Sequence, residues 1–451
     1  MNVTKMRHLM RDLVRVNREY LVNGSYRNLV RDRLVVAQAD PTVPSGTTSA
    51  ASVAQREAEA AAPSTRAFAG LVETSLSLAA LRLEADGHER LNLVVGEIRE
   101  GAAFAGIQTA VTVGAGLADA LGLPLRIVMV SYTTAGNSSA SASAFLRSRF
   151  PGLEFELVAR EDIPSAAFSA EDTWLATHWK TAHAVDVAVQ SGTVSKDRVA
   201  YLMQDYEPGF SPWSTEYATA ASTYQLGFEP IVNSEPLRAY LEAHEGLDIP
   251  ADRTFAPDLD LGLLERVASR RRHGDVTRVL FYGRPSKHRN LFRLGVTAVK
   301  MAARQLAAEG VEVEFVSAGE RHRSVDLGDG RHLTSVGTLP WDDYFELLAS
   351  TNVVLSLQYS PHPSHPPFDA AISGAHAVTN EFGGTRAELH DRITAVPAEP
   401  RALAAALVAA VRRERQHGPG GFADVAPGVL GGTVADAVSA TASALTKRKT
   451  A

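Results

Sequence analysis

The 451-residue chain contains no cysteine. Disulfides, thiolate metal sites and cysteine nucleophiles are therefore excluded, and the redox state of the compartment leaves no mark on the sequence. Long apolar runs are missing as well: stretches such as 353–357 fall far short of the roughly 20 residues that cross a bilayer. The opening residues lack the order of basic region, apolar core and small-residue cleavage site of a signal peptide, because arginines recur through the first 33 positions. A cytoplasmic location is the expectation. A strong charge imbalance is lacking too: 45 Lys plus Arg stand against 51 Asp plus Glu, a net charge of -6. No global nucleic-acid footprint is present, although a local basic site for phosphate remains open.

What is present exceeds one compact core. A chain of this length with 45% hydrophobic residues calls for two or three domains. The first 36 positions carry eight Lys or Arg and three acids. Met6, Leu13, Val16 and Tyr20 recur at helical spacing with Arg7, Arg11, Arg15 and Arg18 on another side. This predicts a basic amphipathic helix, which could lie on an anionic membrane surface or pack on the body of the protein or a second subunit. Positions 37–66, rich in Ala, Ser, Thr and Pro, read as a loosely ordered linker.

From Leu91 the pattern becomes strand, helix, strand. Short apolar runs over 91–97, 125–132, 153–158, 173–176, 198–203 and 230–233 predict strands, with helices over 179–189 and 236–243. The pattern restarts after the polar stretch 269–275. Strands are predicted over 276–282, 311–317, 333–336, 351–357 and 376–379, and helices over 291–308, 342–349, 368–373, 400–415 and 434–445. Two mostly parallel, doubly covered α/β sheets in series follow. The expected domains are 1–88 (basic helix and linker), 89–260, and 261–451 including the terminal helices, with a boundary between about 245 and 275.

Ligands in such sheets sit beyond the carboxyl ends of the strands. Four post-strand segments are rich in polar, aromatic or glycine residues. Gly101 and Gly106 flank Phe104 before a helix; this is not a GxGxxG fingerprint, and close backbone approach by a ligand or simple loop geometry explains it equally. The loop 204–214 holds Asp205 and Glu207 among Tyr206, Phe210, Trp213, Pro208 and Pro212. Its acids suit sugar hydroxyls or acid/base work and its aromatics offer flat faces, but a rigid interdomain loop with aromatics in the core has the same composition. The loop 282–290 contains Gly283, Arg284, Lys287 and Arg289, a cation set suited to a diphosphate, with a solvated charge cluster as the alternative. The fourth, 359–369, carries Tyr359, His362, His365, Pro366, Pro367, Phe368 and Asp369. Its prolines set up a helix whose first-turn amides could meet phosphate. The two histidines lack a third ligand for zinc, so no metal is assigned. Two sheets, a cleft, a cation cluster and an acidic loop suggest group transfer from a phosphorylated donor, and nucleotide-sugar glycosyl transfer matches best.

Three stretches carry a resemblance: YLMQDYEPGFSPWSTEY from Tyr201, FYGRPSKHRNLF from Phe281 and YSPHPSHPPFDAAISGAHAVTN from Tyr359. In order and spacing they resemble the retaining, family-4-like glycosyltransferases of the GT-B fold, two Rossmann-like domains facing across a cleft, and within these the branch of bacterial rhamnosyltransferases of surface polysaccharides. The resemblance spans about 91–445. It implies that Gly106 belongs to an acceptor-side glycine loop, and that Arg284, with Lys287 or Arg289, neutralises the donor diphosphate. It also implies that Gly283, Tyr359, Pro367 and Phe368 lie at the donor pocket, and that Asp205, Glu207 and His178 contact sugar hydroxyls. The family's pair of acids, seven residues apart, falls on Pro361 and Asp369. The first acid is therefore missing, and Asp369 is left as a nucleotide-ribose or helix-positioning contact. The implied reaction is transfer of rhamnose from dTDP-rhamnose to a saccharide with retention and without a metal, since the cations can take a divalent ion's place. UDP- or GDP-sugars, an inactive glycan-binding scaffold and a nucleotide-sugar epimerase are the alternatives.

Overall fold

The computed structural model describes residues 50–450 apart from 62–64, 66–67, 69–70, 86, 100–103, 135–136, 272–275 and 387. The basic amphipathic helix expected near the start lies outside the described residues. Two seven-stranded sheets follow one another along the chain. The first is built from β2 (Leu91–Val95), β3 (Leu125–Met129), β4 (Glu156–Val158), β6 (Thr173–Ala176), β7 (Val199–Met203), β8 (Glu229–Asn233) and β9 (Thr254–Phe255), in the order β4-β3-β2-β6-β7-β8-β9 and parallel throughout. A small parallel pair, β1 (Arg82–Leu83) with β5 (Ala167–Phe168), lies apart from it.

The second sheet comprises β10 (Thr277–Gly283), β11 (Val313–Gly319), β12 (Val325–Gly328), β13 (Arg331–Gly337), β14 (Val353–Ser356), β15 (His376–Asn380) and β16 (Ile393–Val396). Its order is β12-β13-β11-β10-β14-β15-β16, with only the β12–β13 edge pair antiparallel. Helices cover both faces, so central strands such as β2, β7 and β14 are buried at every residue. That double burial is why their sequences read as unbroken apolar runs. Each sheet has a separate apolar cluster on either face. Two Rossmann-like domains in this arrangement are the GT-B architecture expected from the sequence.

Two expectations need correction. The stretch 37–66 is not a linker throughout, because Ala50–Ala60 is a helix. Glu57 anchors it by accepting from Arg160 Nε at 2.8 Å and Nη2 at 2.7 Å, with both residues at most 3% exposed. The Arg160 guanidinium also lies 3.7 Å from the centre of the Tyr132 ring. A bidentate pair this deep is strong only while both charges remain. Glu57→Ala is therefore expected to lower stability by about 3–5 kcal/mol, as a buried charge left alone would; a denaturant titration checks this.

The second correction concerns the terminal helix, Val434–Thr450, which the sequence places with the second domain. It packs on the first. Ala437, Val438, Ala442 and Leu445 join the cluster formed by β2, β3 and the helix Phe104–Leu121. Residues before it run alongside the edge strand: Ala256 N–H donates to Gly432 O and Gly432 N–H to Thr254 O, both at 2.9 Å. Arg448 Nε reaches Glu229 at 2.9 Å. The chain thus crosses between domains twice. Among the described residues no helix is long and apolar enough to cross a membrane.

Candidate functional site

The carboxyl ends of the two sheets meet at the domain junction. On the first domain, β7 ends at Met203 and passes into a loop containing the short turn Glu207–Phe210. On the second, β10 ends at Gly283 and passes into the cationic loop, which closes in a short turn at His288–Asn290. The two turns touch. Arg289 lies with its guanidinium 4.3 Å from the centre of the Phe210 ring and its Nη1 3.8 Å from Asp205 Oδ2. Asp205 Oδ1 also accepts from the Ser360 hydroxyl and from Tyr206 N–H. An acid from one domain therefore holds two segments of the other.

The two acids of the 204–214 loop have separate fates. Asp205 sits at the interface, as above, whereas Glu207 is 4% exposed and faces inward. Its Oε2 accepts from Trp179 N–H and from the Tyr201 hydroxyl. Burial drives its carboxyl up to about 8, against the lowering effect of those two donors. This geometry makes Glu207 a brace for the helix Trp179–Gln190 rather than an open contact for sugar hydroxyls.

His178 precedes that helix and caps it: its Nδ1 accepts from Lys180 N–H at 3.2 Å, while Thr181 Oγ1 accepts from His178 N–H at 3.0 Å. The acceptor role of Nδ1 leaves the ring proton on Nε2, which lies 3.8 Å from Glu207 Oε1. Burial, with Lys180 nearby, lowers its basicity and keeps the ring neutral. The ring stacks at 6.2 Å on Phe210, so His178, Phe210 and Arg289 form one continuous wall. Gly106 lies near the start of the helix Phe104–Leu121. A Cβ placed there would meet only Gln204 Oε1 at 3.8 Å, so packing does not demand glycine at this position.

The cationic loop is held by an acid that the sequence did not single out. Glu320 follows β11 and lies 3.7 Å from Arg284 Nε; it also accepts from Ser286 N–H at 2.9 Å and Ser286 Oγ at 2.6 Å. Lys287 is exposed. Gly283 and Gly319 are register partners at the ends of β10 and β11. A side chain at Gly283 would press on Ser317 Oγ and Phe292, and Gly319, at φ +118, lies against Gly283 O. The two glycines thus let the strands end side by side where the loop turns.

The fourth segment splits. Tyr359 is more than half exposed and donates its N–H to Arg289 O at 2.6 Å. Phe368, 1% exposed, belongs to an apolar cluster of the second domain and, with Pro367, lines a small cavity that also touches Arg386. The helix is His365–Ile372, with Pro366 and Pro367 in its first turn. Prolines carry no N–H, so two of the first-turn donors expected to meet phosphate do not exist. Asp369 is buried, accepts from the Tyr344 hydroxyl at 3.2 Å, and is raised by burial to about 7. Burial raises the Tyr282 hydroxyl, with Arg284 working against the shift and Asp369 and Glu320 adding to it. Sequence reasoning missed Glu320 and Tyr344, because each reaches the site from another strand end or helix, and gave Ser360, within the fourth segment, no role.

Known proteins resemble the chain in sequence over both domains. Residues 90–235 match the family described as the WsaF N-terminal domain, and residues 277–408 the WsaF C-terminal domain. Over 221 residues the chain is 34% identical to an O-antigen biosynthesis protein RfbC of Myxococcus xanthus. That stretch spans 49% of this chain and 16% of the relative. Among solved structures, Anabaena HepE in complex with UDP and glucose aligns over 80% of this chain and 98% of its own, with a TM-score of 0.46 and 14% identity. WaaG, a glycosyltransferase involved in lipopolysaccharide biosynthesis, aligns over 78% and 95%, with a TM-score of 0.43 and 11% identity.

Proposed function

The chain carries the two WsaF domains in order, N-terminal then C-terminal, and on that premise we propose that it is a glycosyltransferase of surface-polysaccharide synthesis, moving one sugar from a nucleoside diphosphate to a saccharide acceptor. The observation that carries the reading is the junction itself. A loop bearing Arg284, Lys287 and Arg289 at the carboxyl edge of one Rossmann-like sheet meets a neutral, aromatic wall of His178 and Phe210 from the other. Cations on one side suit a diphosphate, and polar aromatic surface on the other suits a sugar. The named role of RfbC in O-antigen biosynthesis points to the same class of product.

In this reaction the bond from the sugar to the diphosphate breaks, and Arg284 with Lys287 or Arg289 stabilises the charge that collects on the leaving phosphate. Interactions that strengthen as charge develops lower the barrier, whereas equal binding of substrate and transition state does not. The acceptor hydroxyl attacks from the same face and passes its proton to the donor phosphate, which retains the configuration without a carboxylate nucleophile. Rhamnose from dTDP-rhamnose is the donor we favour, on the motif resemblance of the 201–217, 281–292 and 359–380 segments.

The test is transfer from a panel of dTDP-, UDP- and GDP-sugars to rhamnose-terminated acceptors, with mass analysis of glycan and nucleotide. Gain of one sugar with release of nucleoside diphosphate is the expected result. Interconversion of donor sugars without acceptor would identify an epimerase instead. Donor binding without transfer to any acceptor would leave a scaffold.

A further inference from the structure

The 204–214 loop carries three aromatic residues, and the structure separates them. Tyr206 is buried and its hydroxyl donates to Glu245 at 2.6 Å. Phe210 forms part of the cleft wall. Trp213 is 92% exposed, the most exposed large apolar side chain among the described residues. Its indole meets the ring of Tyr217 at 6.2 Å and 43°.

The surroundings fix Tyr217, on which the indole rests. Pro212 precedes the tryptophan, and Ser214 caps the following helix by accepting from Tyr217 N–H at 3.4 Å. Tyr217 is fixed from behind, its hydroxyl 3.1 Å from that of Tyr206. A tryptophan 92% exposed beside a tyrosine ring offers two adjoining aromatic faces with a polar edge, a surface suited to contact with a ligand. The pair also lies close to the cleft wall in sequence: Trp213 is three positions after Phe210, a span of at most about 11 Å of chain.

We infer that Trp213 and Tyr217 form an outer subsite on which an extended, uncharged glycan acceptor stacks its sugar rings behind the residue being elongated. This rests on the glycosyltransferase reading and adds to it a preference for long acceptors. Pyranose rings present a face of C–H groups that packs on an indole, while their hydroxyls bond to flanking polar groups such as Ser211, Ser214 and Thr215. Charge favours this occupant over a membrane. Positions 204–217 contain three acids and no lysine or arginine, whereas binding at an anionic lipid surface draws on clustered cations.

The test measures binding and transfer for wild type, Trp213→Ala and Trp213→Phe with rhamnose mono-, tri- and hexasaccharides, and binding to anionic phospholipid vesicles. Because the side chain is exposed, the fold does not depend on it. In Trp213→Ala the hexasaccharide Kd and KM are expected to rise about tenfold more than those of the monosaccharide, with Phe restoring most of the difference. An equal effect at all lengths, no hexasaccharide binding by wild type, or loss of vesicle binding with unchanged length dependence would each overturn the subsite. Glycan binding that needs Trp213 in a chain that transfers no sugar keeps this inference and removes the enzyme reading. Transfer indifferent to Trp213 does the reverse.

Discussion

Arg284→Ala is expected to lower the rate of sugar transfer about 10²–10³-fold, as loss of one preorganised donor to a developing charge does elsewhere. Arg284 stands directly after β10, on the loop where Gly283 and Gly319 end their strands side by side. Its guanidinium is only partly exposed and is aimed by Glu320 at 3.7 Å, so little reorganisation is needed when a diphosphate arrives. A fixed planar fork can bond two phosphate oxygens at once, which a lysine cannot, so Arg284→Lys should recover only part of the loss. The discriminating measurement is kcat at saturating donor. If kcat is retained and only donor KM rises, Arg284 binds ground and transition states alike and is not the leaving-group stabiliser.

Glu207→Gln is expected to have the largest pH-dependent effect on stability. In the folded chain burial raises this carboxyl from 4.5 to about 8. Between those values the folded state holds a proton that the unfolded state releases, so stability falls as pH rises through the window and is lowest above about 8. Glutamine is nearly isosteric, still accepts from Trp179 N–H, and carries no titrating group. Above about pH 8 the variant should therefore exceed wild type in stability by up to about 4 kcal/mol, with the two converging below the ordinary carboxyl range. Denaturant titrations at about pH 5 and about pH 9 measure the difference. A flat wild-type profile across this range would show that Glu207 does not titrate there. Collapse of transfer in a stable Glu207→Gln protein would return it to an acid/base role.

The sheets were legible because parallel strands covered on both faces must be apolar at every position. Strand 173–176 was read to the residue, and β7, β10 and β14 to within two residues at either end. The edge elements were not. β12 pairs only along one side and has one buried residue, so its sequence carries no apolar signature. The helix Ala50–Ala60 looked like linker because its composition is small and polar; its place depends on buried groups that include Val53 and the pair of Glu57 with Arg160, 103 residues away.

The functional loops follow the same division. Their positions after strands, their cations and their acids were determined by the sequence, because the period of apolar runs locates strand ends and a parallel sheet gathers those ends along one edge. The fate of each side chain was decided by tertiary structure. Asp205 and Glu207 are two residues apart on one loop, yet Asp205 meets Ser360, 155 residues away, across the domain junction, while Glu207 turns inward beneath Trp179. Phe210 lies between His178 and Arg289 at the domain junction, Tyr206 enters the core and Trp213 faces solvent. Local sequence sets which groups a loop offers. Which of them is desolvated, paired or left open depends on atoms brought from distant strands, and those distances are set only when the two sheets pack.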